Sequence, residues 1–217
     1  MTKTTHLQRR TVLAAAAASA ALPLAAWAQG APIKIGSTLA LTGPLSATAQ
    51  VHKLVGEIYV EDLNRRGGLL GRKVEWILKD DQSKADLART LYEQLLTSDK
   101  VDLLMGPYAT GAILSAVGVA QRYDKVLVHH TLGVPSLVKY ERQFPAWSLG
   151  SDPGTTTTNT VFEALAKGPK PPKTVAVVTS KFPSIHFMSM GARETIKKRG
   201  LQEVLFLEWE FGNRDFG

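Results

Sequence analysis

The sequence predicts an α/β protein in which parallel β-sheets are covered by helices. Short apolar segments typical of strands alternate with longer segments whose apolar residues recur at the spacing of one helical face. Glycine, proline and small polar residues separate consecutive segments. This alternation is typical of a parallel sheet, because parallel strands need a crossover connection between them. The 217 residues are 44% hydrophobic and 21% charged, which suits one or two domains with a sizeable core.

Four strands are predicted in the first half of the chain. They are expected at residues 33–39, 73–78, 101–105 and 126–130. Helices are predicted between them over 45–66, from about 85 and over 110–122, and residues 83–86 resemble a capping box for the second helix. Gly67 and Gly68 are expected to end the first helix, because glycine tolerates the left-handed backbone common beyond helix C-termini.

A second series of elements is predicted after residue 150. Helices are expected at 155–166 and 185–199, and strands at 174–179 and 204–209. Two such series in tandem suggest two lobes with a cleft between them, residues 29–150 forming the N-terminal part of lobe 1 and 151–217 an incomplete lobe 2. A sheet of two strands buries its faces poorly, so we expect the sequence to be truncated at its C-terminus.

Residues 1–28 are predicted to be a cleavable export signal. Arg9 and Arg10 precede an alanine-rich apolar stretch, and small residues end it for cleavage after Ala28. Pro23 interrupts the stretch, which is too short for a stable membrane span. The paired arginines are similar to a twin-arginine signal, and an ordinary Sec signal remains the alternative. Either route takes the protein out of the cytoplasm.

Charge and cysteine content exclude several classes of function. The net charge of +7 falls to +4 without the three basic residues of the export signal, and no clustered basic face for nucleic acid is expected. The chain has no cysteine, so disulfides, thiolate metal sites and a lipid-anchored cysteine are excluded.

The sequence does not predict an enzyme. Ser136 and Lys139 fit an S-x-x-K motif but lack its companion motifs. Asp80 and Asp81 are expected to form a turn, and the histidines lack zinc-site spacing. One histidine of the pair at residues 129–130 is a candidate ligand donor; a packed or solvated histidine is the alternative.

Four sequence blocks carry a resemblance to a known family. Residues 33–36 with 41–45, 64–75, 80–83 and 106–108 are similar to conserved blocks of the leucine/isoleucine/valine-binding family of ABC transporter substrate-binding proteins. The resemblance extends in register over about residues 31–181. It implies a type I periplasmic-binding fold, with two Rossmann-like lobes that close on a small ligand. It further implies a periplasmic protein without cofactor, whose partners are the ligand and ABC transporter permease subunits.

The resemblance also implies the ligand-binding residues. They are Tyr108, Ala109 and Thr110 at a helix start, Thr131 and Gly133 after the fourth strand, and Thr48 in the first loop. His186 in lobe 2 is a further candidate ligand donor on its own chemistry, with a packed or solvated histidine as the alternative. A helix N-terminus offers free N–H groups to a carboxylate, and Thr110 is expected to cap that helix and to donate its hydroxyl.

Two departures from the family pattern widen the expected ligand class. Gly133 replaces a hydroxyl residue, and residues 184–186 replace a Tyr-Gly pair. We therefore expect an amino acid or another small carboxylate or amide. A ligand-sensing domain of a signalling receptor and a periplasmic enzyme are the alternatives.

Overall fold

The computed structural model describes residues 30–131, 137–146, 153–213 and 215. The predicted export signal and Gly133 lie outside these ranges. The strands are β1 (Ile33–Leu39), β2 (Val74–Asp80), β3 (Leu103–Met105), β4 (Leu127–His129), β5 (Gln143–Pro145), β6 (Thr174–Ser180) and β7 (Gln202–Trp209). The helices are α1 (Ser46–Arg65), α2 (Ala85–Thr97), α3 (Thr110–Arg122), α4 (Pro153–Ala166) and α5 (Pro183–Lys198).

The described strands form two parallel sheets. The first has the order β2-β1-β3-β4-β5, and the second pairs β6 with β7. In the first sheet Ile33 lies opposite Val74 and Leu39 opposite Asp80. Because all strands run the same way, their carboxyl ends meet at one edge, where ligands of open α/β sheets bind. The predicted α/β fold class is confirmed.

The core of the first sheet lies beneath α2 and α3. Leu95 from α2 and Ile113 and Val117 from α3 are fully buried against Leu104 of β3 and Leu127 of β4. These side chains come from apolar positions at helical spacing, so burial of one helical face stabilises each helix. Glycine at position 36 lets β1 approach this layer, since an added Cβ would lie 2.9 Å from Val101 Cγ1.

The apolar face of α1 is much less covered than its spacing predicts. Val51, Val55, Ile58 and Tyr59 are each about 60% exposed. An apolar cavity of about 480 Å³ lies between this helix and the neighbouring strands. The helix is therefore predicted correctly from periodicity, whereas burial of its apolar face is not observed in the described part of the chain.

The second sheet has a smaller core, built around Phe162, Val177 and Ile196. Helices α4 and α5 cross where two glycines meet, because an added Cβ on Gly191 would lie 2.5 Å from the carbonyl carbon of Gly154. Glycine at both positions permits this close packing.

One strand was not foreseen from the sequence, and two expectations are corrected. Strand β5 was not predicted, because three residues are too short to show a period. The capping box is wrong: α2 has Lys84 as its N-cap residue and no side-chain cap. Ser83 Oγ instead donates to the Thr42 carbonyl at 2.9 Å and accepts from the Leu45 N–H at 3.2 Å. Thr48 lies in the first turn of α1, not in the preceding loop.

No helix within the described ranges is both long enough and apolar enough to span a membrane.

Candidate functional site

A crevice of about 180 Å³ lies at the carboxyl edge of the first sheet. One side is formed by the turn after β2 and by the start of α3, including Tyr108 and Ala109. Phe182 and Pro183, at the start of α5, form the opposite side. The crevice therefore lies between elements of the two sheets, where a cleft is expected.

The start of α3 presents unpaired N–H groups. Ala109 is the N-cap residue, with φ of 78°, and its own N–H donates to Thr131 Oγ1 at 3.0 Å. Ile113 N–H donates to the Ala109 carbonyl, which is the first hydrogen bond of the helix. The N–H groups of residues 110–112 therefore have no helical carbonyl to bind. Together with the helix dipole they create positive potential at the crevice.

Thr110 has a different place at the start of α3 from the predicted one. It is the first residue of α3 and not its cap, so the predicted capping role is wrong. The residue is 4% exposed, and its hydroxyl has no hydrogen-bond partner among the described residues. Burying a hydroxyl without a partner costs about 1–3 kcal/mol. Thr110 does not itself line the crevice, but its neighbours Ala109 and Gly111 do, and a ligand oxygen that reached the hydroxyl would remove this cost.

A row of rings supports Tyr108. The His52 ring lies 5.1 Å from the Tyr108 ring, and the His130 ring stacks on His52 at 4.7 Å with an interplanar angle of 18°. Burial lowers the pKa of His130 to about 4, aided by the neighbouring His52 and His129, so this imidazole is neutral at pH 7. His130 therefore adds no positive charge to this row of rings.

His129 faces a different environment from His130. It is 1% exposed, and its Nε2 lies 3.2 Å from Gln143 Oε1 on β5. Of the two adjacent histidines, His130 is therefore the one that extends the ring row from Tyr108.

The carboxylate of Asp81 belongs to the turn after β2, which lines the crevice. Asp81 is 1% exposed and accepts hydrogen bonds from Thr38 Oγ1 at 2.7 Å and from Ser83 N–H at 3.0 Å. Burial raises its pKa above the ordinary 3.8, although both hydrogen bonds act to lower it. These contacts agree with the turn role predicted for Asp81.

Asp81→Asn tests the cost of this buried charge. A raised folded-state pKa means that wild-type stability declines as pH rises through that pKa, because the ionised form is disfavoured in the native state. Asparagine has no such titration and can accept from Ser83 N–H. We expect the variant to gain free energy of unfolding relative to wild type as pH increases above 3.8. Urea unfolding of both proteins at several pH values measures this; a difference independent of pH would contradict it.

The remaining predicted residues are spread over the site and beyond. Thr131 contacts Ala109 as described, whereas Thr48 is exposed and its carbonyl lies 2.9 Å from His52 Nδ1. His186 Nδ1 lies 2.6 Å from Glu208 Oε1, so this histidine is paired within its own sheet layer. His52 and Phe182 were not predicted, because their place depends on how helices pack and not on any local pattern.

A larger cavity of about 580 Å³ lies elsewhere, next to Arg193 and Glu203. Those two side chains form a two-pronged ion pair, with distances of 2.8 and 2.9 Å. The cavity is also beside Gln202, at the amino end of β7. Ligands of parallel sheets bind at the opposite end, so we assign the site to the crevice.

Known proteins of similar sequence and structure agree with this fold. A family model described as "Periplasmic binding protein" matches residues 32–217. The chain is 32% identical over 110 residues to the chemotactic signal transduction system substrate-binding protein BasB of Halobacterium salinarum, covering 50% of this chain and 27% of that protein. It is 28% identical over 109 residues to the Leu/Ile/Val-binding protein BraC3 of Rhizobium johnstonii, covering 50% of this chain and 29% of that protein.

A solved structure shows the same architecture. LivJ of Streptococcus pneumoniae, a branched-chain amino acid transporter substrate binding protein in complex with isoleucine, is 25% identical with a TM-score of 0.71. The match covers 85% of this chain and 51% of LivJ, and the chain spans at most about half the length of the relatives described here. The chain belongs to the periplasmic binding protein family, as a type I protein of the leucine/isoleucine/valine-binding group.

Proposed function

We propose that this protein captures a small solute bearing a carboxylate or amide and delivers it to an ABC transporter in the periplasm. The observation that carries the proposal is the start of α3, where three N–H groups without a helical acceptor adjoin the buried hydroxyl of Thr110, which has no partner among the residues that the structure describes. Such a constellation accepts a negatively charged or strongly polar oxygen.

The placement of the crevice supports capture by closure. We propose that residues 29–150 and 151–217 contribute to two lobes and that the ligand lies between them. Tyr108 and Phe182 come from opposite sides of the crevice. A ligand that contacts both sides would stabilise the closed arrangement, since it can shift the equilibrium only by its preference for that state.

We propose that the protein acts by binding and not by catalysis. The proposed ligand contacts are main-chain N–H groups, the Thr110 hydroxyl and Thr131, and Asp81 is engaged in the turn. We further propose that the signal at residues 1–28 exports the protein and that ABC transporter permease subunits are its partners.

Ligand sensing is the second candidate function, because BasB belongs to a chemotactic signalling system. Both functions begin with the same capture step. Uptake measurements in cells lacking the gene separate them: loss of solute uptake supports transport, whereas normal uptake with loss of the response to the solute supports sensing.

A thermal-shift experiment tests the capture step. The complete gene product, without its export signal, is heated with amino acids, simple carboxylates and amides. A ligand at 100 times its Kd adds about 2.7 kcal/mol to the free energy of unfolding, so its effect on Tm is easily measured. We expect at least one carboxylate or amide to raise Tm, and matched amines without an acyl group to have no effect. No response to any carboxylate or amide would contradict the proposal.

A further inference from the structure

We propose that the crevice selects a planar aromatic carboxylate over a branched-chain amino acid. The inference rests on the proposed function and names the ligand class of that same site. Two aromatic residues, Tyr108 and Phe182, line the crevice from opposite sides, and three N–H groups without a helical acceptor lie next to it at the start of α3.

The first ring wall is Tyr108. Tyr108 lines the crevice, and its ring contacts that of His52, which in turn stacks on His130. Because these rings come from α1, from the segment before α3 and from the end of β4, packing of three elements fixes the orientation of Tyr108. A ring held in place loses little conformational entropy when a ligand stacks on it.

The second ring wall is Phe182, at the start of α5. Its ring packs against the Phe211 ring, with centroids 4.6 Å apart. Aromatic rings prefer offset or edge-to-face contacts at centroid distances of about 4.5–7 Å. A flat ligand ring between Tyr108 and Phe182 would make such contacts on both sides, whereas a branched aliphatic chain would not.

The polar groups complete the selection. Helix α3 offers the three N–H groups of residues 110–112, whereas α5 offers only those of residues 184 and 185, because its first residue, Pro183, has no N–H. The carboxylate end of a ligand is therefore drawn to α3, and its body extends along apolar side chains such as Leu45 and Ala112. One charged end and one flat apolar body describe an aromatic acid.

The one carboxylate among the described residues that line the crevice is Asp81. Asp81 accepts from Thr38 and Ser83. Beyond the crevice, at the end of the second sheet, Glu208 pairs with His186 and Glu210 with Lys181. An α-ammonium at this crevice would have to share the Asp81 carboxylate with Thr38 and Ser83. Burying an ammonium beside a carboxylate that is already engaged is costly, so the site disfavours amino acids.

The test compares three probes on the complete gene product by calorimetry. Benzoate and cyclohexanecarboxylate share a carboxylate on a six-membered ring, but only benzoate is flat; isoleucine adds the ammonium. We expect benzoate to bind about tenfold more tightly than cyclohexanecarboxylate, from two ring contacts of about 0.5–1.5 kcal/mol each, and isoleucine to bind more weakly than both.

Variants tie the preference to the ring wall. Tyr108→Leu is expected to abolish the preference for benzoate over cyclohexanecarboxylate, while Tyr108→Phe preserves it. Tyr123→Leu, at an exposed position at the end of α3, is the matched control and should leave it unchanged. Melting of each variant without ligand verifies folding, and if Tyr108→Leu does not fold, His52→Leu replaces it and should reduce the preference.

The outcomes separate the inference from the proposed function. Tighter binding of isoleucine than of benzoate, or equal binding of the two cyclic acids, overturns the aromatic selection and leaves solute capture intact. Binding of none of the three acids, together with no response to any other carboxylate or amide, overturns both.

Discussion

Thr110→Val is expected to weaken ligand binding by about 1.5–3 kcal/mol, or roughly 10- to 150-fold in Kd, because it removes the hydroxyl that we propose bonds a charged ligand oxygen. Valine has nearly the same shape, so packing at the start of α3 is retained. Without ligand the hydroxyl is buried and has no partner in the described part of the chain, so its removal should leave the free energy of unfolding unchanged or raise it. Calorimetry with the bound carboxylate and urea unfolding without it measure the two effects.

The matched control is Thr195→Val in α5. Thr195 is 1% exposed, and its hydroxyl donates to the Gly191 carbonyl at 2.9 Å, away from the crevice. Its loss should lower the free energy of unfolding by about 1 kcal/mol and leave affinity unchanged. An unaltered Kd in Thr110→Val would show that the hydroxyl does not contact the ligand, and the site would have to be placed elsewhere.

Gly68→Ala is expected to destabilise the protein by at least about 3 kcal/mol, as backbone-incompatible substitutions do. The residue has φ of 76°, and an added Cβ would lie 1.9 Å from the Arg72 carbonyl oxygen. The backbone of this turn cannot move freely, since the Gly68 N–H donates to the Leu63 carbonyl at 2.8 Å. Asn64 also holds β2 to the end of α1 through two hydrogen bonds with the Val74 main chain.

Gly71→Ala is the control for backbone strain alone. Gly71 has a φ of 74°, but an added Cβ would have no atom within 4 Å. The left-handed conformation costs about 1–2 kcal/mol for a residue with a Cβ, so the free energy of unfolding of this variant should fall by that amount and no more. Denaturant unfolding of both variants gives the difference. Equal destabilisation would mean that the turn relaxes around the methyl group and that close approach does not explain Gly68.

Periodicity predicted most of the fold. Strand β1 and the apolar face of α2 follow directly from residue spacing, and the end of α1 follows from the glycines after it. Strand β5 was missed because its three residues become a strand only by pairing with β4. The exposed face of α1 was also unforeseen, since spacing shows that a face is apolar but not what covers it.

The candidate site was predicted in part, through the resemblance of residues 106–108 to a family block. Tyr108, Ala109 and Thr131 do lie together, because the carboxyl ends of β3 and β4 are adjacent. The ring row behind Tyr108 was not predicted: His52 and His130 are 78 positions apart, and only the packing of α1 against the sheet joins them.

The sequence by itself determined the alternation of elements, the parallel sheets and the edge at which polar residues gather, because these depend on local periodicity and on chain connectivity. Tertiary structure alone decided which polar groups already have a hydrogen-bond partner. Ser83 resembles a helix cap in the sequence, yet its hydroxyl binds the loop after β1, about 40 positions away. Thr110 resembles a cap as well, yet its hydroxyl is left without a described partner. A hydroxyl bonds to whatever group packing brings within about 3 Å, and sequence spacing does not set that distance between separate elements.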